Sequence, residues 1–169
     1  TRLTETVERH GWSVVDKYVQ EILNYSERMT RRTIRAIPDG IYEAEDFLDD
    51  DGIGKKAIRI HVKIRIRGGD ALVDFSGSDP QVAGSVNSVY AITASAVFYV
   101  FRTLVDMPIP SNAGGMRPIK IITPAGSIVD ANPPAAVCGG NVETSQRIVD
   151  VIYQCLAKAI PDRVPAASQ

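Results

Sequence analysis

The chain has 169 residues, a formal net charge of −1 and a charged fraction of 23%. This length can bury one substantial core, so we expect a single α+β domain over residues 1–169. Lys and Arg are spread along the chain, which excludes the basic footprint of proteins that bind nucleic acid or anionic membranes.

A few further residues indicate the cellular compartment of the protein and its relation to a longer subunit. The segment has no charged-then-apolar leader, so we expect a cytoplasmic protein. Cys138 and Cys155 are too few for a disulfide framework and are expected to be reduced. The chain starts at Thr1 and closes on the motif-like run 164–169, so we expect an internal fragment of a longer subunit.

The first predicted element is a long amphipathic helix. Apolar residues from Val7 to Ile37 recur at helical spacing, opposite a charged face. Pro38-Asp39-Gly40 stops the helix by turn chemistry, and Gly11 is a point where a short first turn separates.

Three strands are predicted next. Residues 41–48 alternate roughly, whereas 58–67 alternate strictly between apolar and basic side chains. A Gly68-Gly69-Asp70 turn makes an antiparallel hairpin with 71–75 the simplest connection. The acidic run Asp49-Asp50-Asp51-Gly52 does not match a calcium loop, and we interpret it as a solvated turn.

The second half of the chain predicts two more helices. The apolar stretch 86–105 contains polar residues that are costly in hydrocarbon, so it indicates a buried core helix and not a membrane span. A short strand at 119–122 and a strand remnant at 128–129 follow, and 142–160 repeats apolar residues at helical spacing. This element order predicts an α+β fold with a mostly antiparallel sheet and helices packed on one face.

The strongest candidate site is the start of the last helix. Gly139 and Gly140 precede Asn141, Glu143, Thr144, Ser145 and Arg147. Helix starts have unpaired N–H groups, and glycines allow close approach of another backbone or a small molecule. Asn141 as N-cap and Glu143 with Arg147 as a helical ion pair would also explain these residues without a ligand.

The chemistry of this junction favours a neutral ligand. Glu143 would place an anion beside a bound phosphate, and no Gly-Lys-Ser/Thr follows, so ATP is not expected there. A cyclic amide or urea offers N–H donors and C=O acceptors together, which suit Asn141, Glu143 and backbone N–H groups. Glu143 is the candidate catalytic residue.

Other candidates are weaker. Ser76, in the 74–79 loop, and Asn87, at the predicted start of the core helix, could line a pocket, although a plain connecting loop would look the same. Cys138 has no His near it in sequence, so a catalytic thiol is not favoured. His10 and His61 are isolated, so no metal site is expected in this segment.

Several motifs resemble one family. Gly-Gly-Asn-Val-Glu-Thr-Ser-Gln-Arg at 139–147 is similar to the most recognisable stretch of the hydantoinase B/oxoprolinase family, which includes N-methylhydantoinases, 5-oxoprolinases and acetone carboxylase large subunits. The resemblance continues through 25–28, 38–42, 49–52, 74–80 and 164–168 in the same order.

The resemblance implies a function for a longer protein. It implies ATP-dependent opening of a cyclic amide such as hydantoin or 5-oxoproline, together with a hydantoinase A-like ATPase subunit that holds ATP. No cofactor is implied in this segment, and any divalent metal would be bound elsewhere in the full chain, among the remaining domains. Two alternatives stay open: a structural or subunit-interface domain without catalytic residues, and a segment of an acetone carboxylase-type subunit.

Overall fold

The computed structural model of the chain describes residues 1–165. The family-like run at the end of the chain is therefore only partly placed, because Ala166, Ala167 and Ser168 lie outside the described residues.

The predicted long helix is divided into two. Helix α1 spans Arg2–His10 and helix α2 spans Trp12–Arg35. Gly11 lies between them with φ 81°, a backbone conformation that glycine adopts without steric cost and that interrupts the helix. The expected break at Gly11 is confirmed, although it separates nine residues and not one turn.

Four strands form one mixed sheet in the order β1-β2-β3-β4. They span Gly40–Asp50, Lys56–Arg67, Asp70–Asp74 and Ile119–Ile122. Strands β1, β2 and β3 are consecutive antiparallel neighbours, whereas β4 pairs in parallel with β3. The predicted mostly antiparallel sheet is confirmed.

The two faces of the sheet follow the alternation of β2. Ile58, Ile60, Val62, Ile64 and Ile66 are all buried and belong to the main hydrophobic cluster. The same cluster contains residues of helix α3, Tyr90–Thr103, helix α4, Glu143–Ala157, and the end of α2. Packing helices on the isoleucine face leaves the basic side chains on the other, which confirms the α+β prediction.

Two predicted elements differ from the structure. Helix α3 begins at Tyr90 and not at residue 86, because residues 86–89 form a loop in which Asn87 and Ser88 are buried and hydrogen-bonded to the backbone of residues 128–136. The predicted strand remnant at 128–129 is also a loop: both residues are buried, but only the flanking Ser127 and Asp130 form an isolated bridge.

Candidate functional site

The N-terminal end of α4 and the turn before it, residues 139–147, are called the α4 head. This polar segment begins with a tight turn. Residues Gly139–Asn141 form a 3₁₀ turn that leads through Val142 into α4. Val142 is the N-cap and makes no side-chain cap bond, so the prediction of Asn141 as N-cap is wrong. The reason is local: Asn141 is the last residue of the 3₁₀ turn, so α4 begins one residue later than the sequence indicated.

Both glycines pack against the loop that precedes α3. The Gly139 N–H donates to the Ser85 carbonyl at 2.8 Å. Gly140 is buried, and a methyl group on it would overlap the Asn87 backbone carbonyl. The close approach expected of these glycines is therefore made to the chain's own backbone.

Asn87 and Thr144 hold this junction together from inside. The Asn87 side chain is 0% exposed and donates to the carbonyls of Val82, Gly84 and Ala136, while its oxygen accepts the Val82 N–H at 2.7 Å. Thr144 is also 0% exposed and donates to the Val86 carbonyl. Both polar side chains are satisfied by protein groups, so they position the surface beside them.

Arg147 is held by a partner far away in sequence. Arg147 lies on α4, and its Nη1 donates to Oδ2 of Asp46 on β1 at 2.8 Å. Gln154 Nε2, also on α4, donates to the same oxygen at 3.2 Å. The predicted Glu143–Arg147 ion pair is wrong, because Asp46 lies on the strand beneath the helix and takes the guanidinium. Partial burial raises the pKa of Asp46, but hydrogen bonds from the Phe47 N–H and Arg147 outweigh it and lower the pKa overall.

Glu143 is exposed at the edge of an open depression of about 340 Å³. Arg147, one helical turn further along α4, also lines it. The remaining walls come from the end of β1, the acidic turn and the loop before α3: Leu48, Asp49, Asp50, Asp51, Gly52, Ser85 and Val86. The depression thus combines several carboxylates with one guanidinium that is already paired.

The prediction of a solvated acidic turn holds for Asp49, Asp50 and Gly52, which are exposed, but it is wrong for Asp51. Its Oδ1 accepts the N–H groups of Ile53, Gly54 and Lys55 at 2.8 to 3.0 Å, and its Oδ2 accepts that of Gly84 at 3.1 Å. The side chain is buried, and these bonds, first those from Gly54 and Ile53, lower the pKa of Asp51 to about 2. These hydrogen bonds fix the turn, which forms one wall of the depression.

The remaining candidates separate into two places. Ser145 lies on the α4 head and donates to the Asn141 carbonyl at 2.9 Å. Ser76 is exposed after β3, where its N–H binds Asp74, and it does not line the Glu143 depression. The structure thus groups the α4-head residues but leaves Ser76 apart.

His61 is a residue that sequence reasoning undervalued. The ring is buried on the otherwise open sheet face, where Gly77 packs on it, and its Nε2 lies 2.6 Å from Glu43 Oε1. This contact is the main cause of the lowered pKa of Glu43. A glycine in the Ser76-Gly77-Ser78 loop was the available signal that something larger lies beneath.

The thiols have different environments. Cys138 is exposed beside the 3₁₀ turn, whereas burial raises the pKa of Cys155 to about 11. Within residues 1–165, no cluster of three or more His, Cys, Asp or Glu could hold a metal ion. In the same range, no helix has the length and apolar character needed to cross a membrane.

Comparisons with known proteins agree across the chain. The Hydantoinase B/oxoprolinase family matches residues 1–169. An uncharacterized protein of Methanocaldococcus jannaschii is 40% identical over 99% of this chain and 29% of its own length. The 5-oxoprolinase 1 of Arabidopsis thaliana is 34% identical over 89% of this chain and 13% of its own.

A solved structure shows the same fold. The ATP-dependent caprolactamase from Pseudomonas jessenii superposes with a TM-score of 0.86 at 28% sequence identity, over 95% of this chain and 28% of that one. The chain therefore spans less than a third of the proteins it matches. Since the family match covers every residue and a relative is 40% identical over 99% of this chain, the chain belongs to the hydantoinase B/oxoprolinase family.

Proposed function

We propose that this chain is part of a longer subunit, the parent polypeptide, of an ATP-dependent enzyme that opens a cyclic amide such as hydantoin or 5-oxoproline. The support is the family match over residues 1–169, a relative named 5-oxoprolinase and a structural neighbour named ATP-dependent caprolactamase. Both cysteines are free, which agrees with a reducing compartment, and we propose the cytoplasm.

The observation that carries the role of this segment is the exposed Glu143 carboxylate at the rim of the depression. A ring N–H of a cyclic amide is a donor that a carboxylate accepts, and a hydrogen bond to a charged group is stronger than one between neutral groups. Gly139, Asn141 and Ser145 lie on the same helix head. Gly140, Thr144 and Asn87 hold that head, Arg147 ties it to β1, and Ser76 belongs to another surface.

The charge of the depression supports a nucleotide site elsewhere. Asp49, Asp50, Asp51 and Glu143 line it, and its one guanidinium is paired with Asp46. Phosphate groups would be repelled by this set of carboxylates. We therefore assign ATP to a hydantoinase A-like partner, either separate or fused, and any divalent metal to the remaining domains. Phosphorylation of the amide oxygen would make the ring carbon a better electrophile.

The test is Glu143→Gln in the parent polypeptide assembled with its ATPase partner. Losing one charge-assisted hydrogen bond, about 1.5–3 kcal/mol, is expected to lower kcat/KM for the cyclic amide by about 10- to 100-fold. Asn141→Ala is the second variant. Glu21→Gln, an exposed carboxylate on α2, is the matched control and should retain full turnover.

A structural role is the competing function. It is favoured by Gly140, whose close packing on Asn87 explains the double glycine without any ligand. Size-exclusion chromatography of the same variants distinguishes the two. Loss of turnover with intact assembly supports the active-site role, whereas loss of assembly, or unchanged turnover in both variants, refutes it.

A further inference from the structure

The rest of the described chain covers only the second half of one face of α2. In the second half of the helix this face is buried at Ser26, Thr30 and Ile34. Ser26 donates to the Pro110 carbonyl and accepts from Asn112 Nδ2, so the helix is bound to the loop before β4. Gly114 of the same loop packs against the Leu23 backbone.

Before Leu23 the same face of the helix is apolar but mostly exposed. Trp12, Val15, Val19 and Ile22 are spaced three or four residues apart, which continues the stripe of Ser26 and Thr30 toward the start of α2. Trp12 is 66% exposed, Val19 42% and Ile22 48%, and only Val15 is buried. In α1 no residue is buried, and Leu3 is 59% exposed.

This uncovered stripe is too regular to be scattered surface residues. A helix that is amphipathic along its whole length has its apolar side against a packed surface, and contiguous exposed apolar patches mark interaction sites. Residues 12–22 would be a short and marginal helix on their own, so packing must stabilise them. The stripe therefore needs an occupant that residues 1–165 do not supply.

We propose that the occupant is the remaining part of the parent polypeptide, docked on the arm formed by α1 and the first half of α2. The chain covers only 29% of its M. jannaschii relative and 28% of the caprolactamase chain, so most of such a polypeptide lies outside this structure. The stripe is also continuous with the core stripe of the same helix. The charged residues Asp16, Lys17 and Glu21 of the same helix have mixed signs, unlike the basic polar face of a membrane-surface helix.

The proposal is tested by cysteine labelling of the parent polypeptide, purified without its ATPase partner and diluted until it is monomeric. Val19→Cys and Ile22→Cys place thiols on the stripe. Glu21→Cys is the matched control, because it lies about 200° around the helix axis from Val19. Maleimide modification is followed at each position by peptide-resolved mass spectrometry, and thermal unfolding of each variant reports whether the fold is kept.

We expect both stripe thiols to react at least about tenfold more slowly than the Glu21→Cys thiol, because a packed domain excludes the reagent from them. Equal rates would overturn the proposal. Protection that arises only when copies associate, or only after the partner is added, would also overturn it, because the occupant would then be another molecule. If one stripe variant unfolds early, the other decides. Turnover is not measured, so this result is independent of the proposed activity.

Discussion

At the scale of single residues, Asp51 shows how one carboxylate organises a turn. It accepts four backbone N–H groups, three from the residues just after it and one from Gly84, thirty-three positions later. Sequence alone indicated a solvated acidic run, because nothing local reports the approach of Gly84. The carboxylate joins the β1–β2 turn to the loop before α3.

Replacing Asp51 by Asn is expected to reduce stability in a pH-dependent way. The folded pKa of about 2 is lower than the usual value of 3.8, so the charged form stabilises the fold above about pH 4 and this contribution is lost as the pH falls toward 2. In urea unfolding, Asp51→Asn should therefore differ most from the natural chain at pH 7 and less at pH 2.5. The control is Asp49→Asn, which alters an exposed neighbour. A difference that is the same at both pH values would contradict the assignment.

At the scale of elements, the loop before α3 and the head of α4 behave as one unit. They are joined by the Gly139–Ser85, Thr144–Val86 and Asn87–Ala136 hydrogen bonds and by the contact between Gly140 and Asn87. These contacts hold together two segments that lie about fifty residues apart in sequence, and both segments line the depression beside Glu143.

Gly140→Ala is expected to disturb this unit. The added methyl group would overlap the Asn87 carbonyl, and backbone cannot move aside as a flexible side chain can, so we expect a loss of about 1–3 kcal/mol in the free energy of unfolding. Gly54→Ala is the matched control: its methyl group would meet no atom within 4 Å. Equal stability of the two variants in chemical denaturation would show that the junction adapts without cost.

Periodicity explains which elements were predictable. The strict alternation of β2 fixed its inner face, and the positive φ at Gly11 was signalled by a glycine within a helical pattern. The start of α3 was not predictable, because the loop of residues 86–89 is fixed by hydrogen bonds of Asn87 and Ser88 to distant backbone, which residue spacing does not reveal. The partner of Arg147 was missed for a similar reason: Asp46 is 101 positions away, whereas Glu143 lies four positions before Arg147, at the spacing of a helical ion pair.

The candidate site was only partly predictable. Motif resemblance located the polar head of α4, but its separation into holding residues, such as Asn87 and Thr144, and the exposed Glu143 required the tertiary packing. The burial of His61 by Gly77 was likewise a contact between distant segments.

At the scale of the whole molecule, we expect the isolated chain to fold but not to turn over substrate. Its main hydrophobic cluster joins the sheet to α3, α4 and the end of α2, which supports a cooperative fold. The depression beside Glu143 is acidic, and we place the nucleotide on a partner. Residues 1–169 should thus show a single unfolding transition, and no ATP-dependent consumption of hydantoin or 5-oxoproline by chromatography. Turnover by this segment alone would refute the division of labour between subunits.

The position of β1 also has a consequence for solubility. Among the described residues β1 pairs only with β2, so this strand of eleven residues is an edge strand of the sheet. The backbone N–H and C=O groups on its outer side are a template for pairing with another molecule. Acidic side chains at Glu43, Glu45 and Asp49 recur along this strand, and Lys158 caps the Glu43 carbonyl. Pairing two such strands would remove these charged side chains from water, which opposes fibre-like stacking of copies.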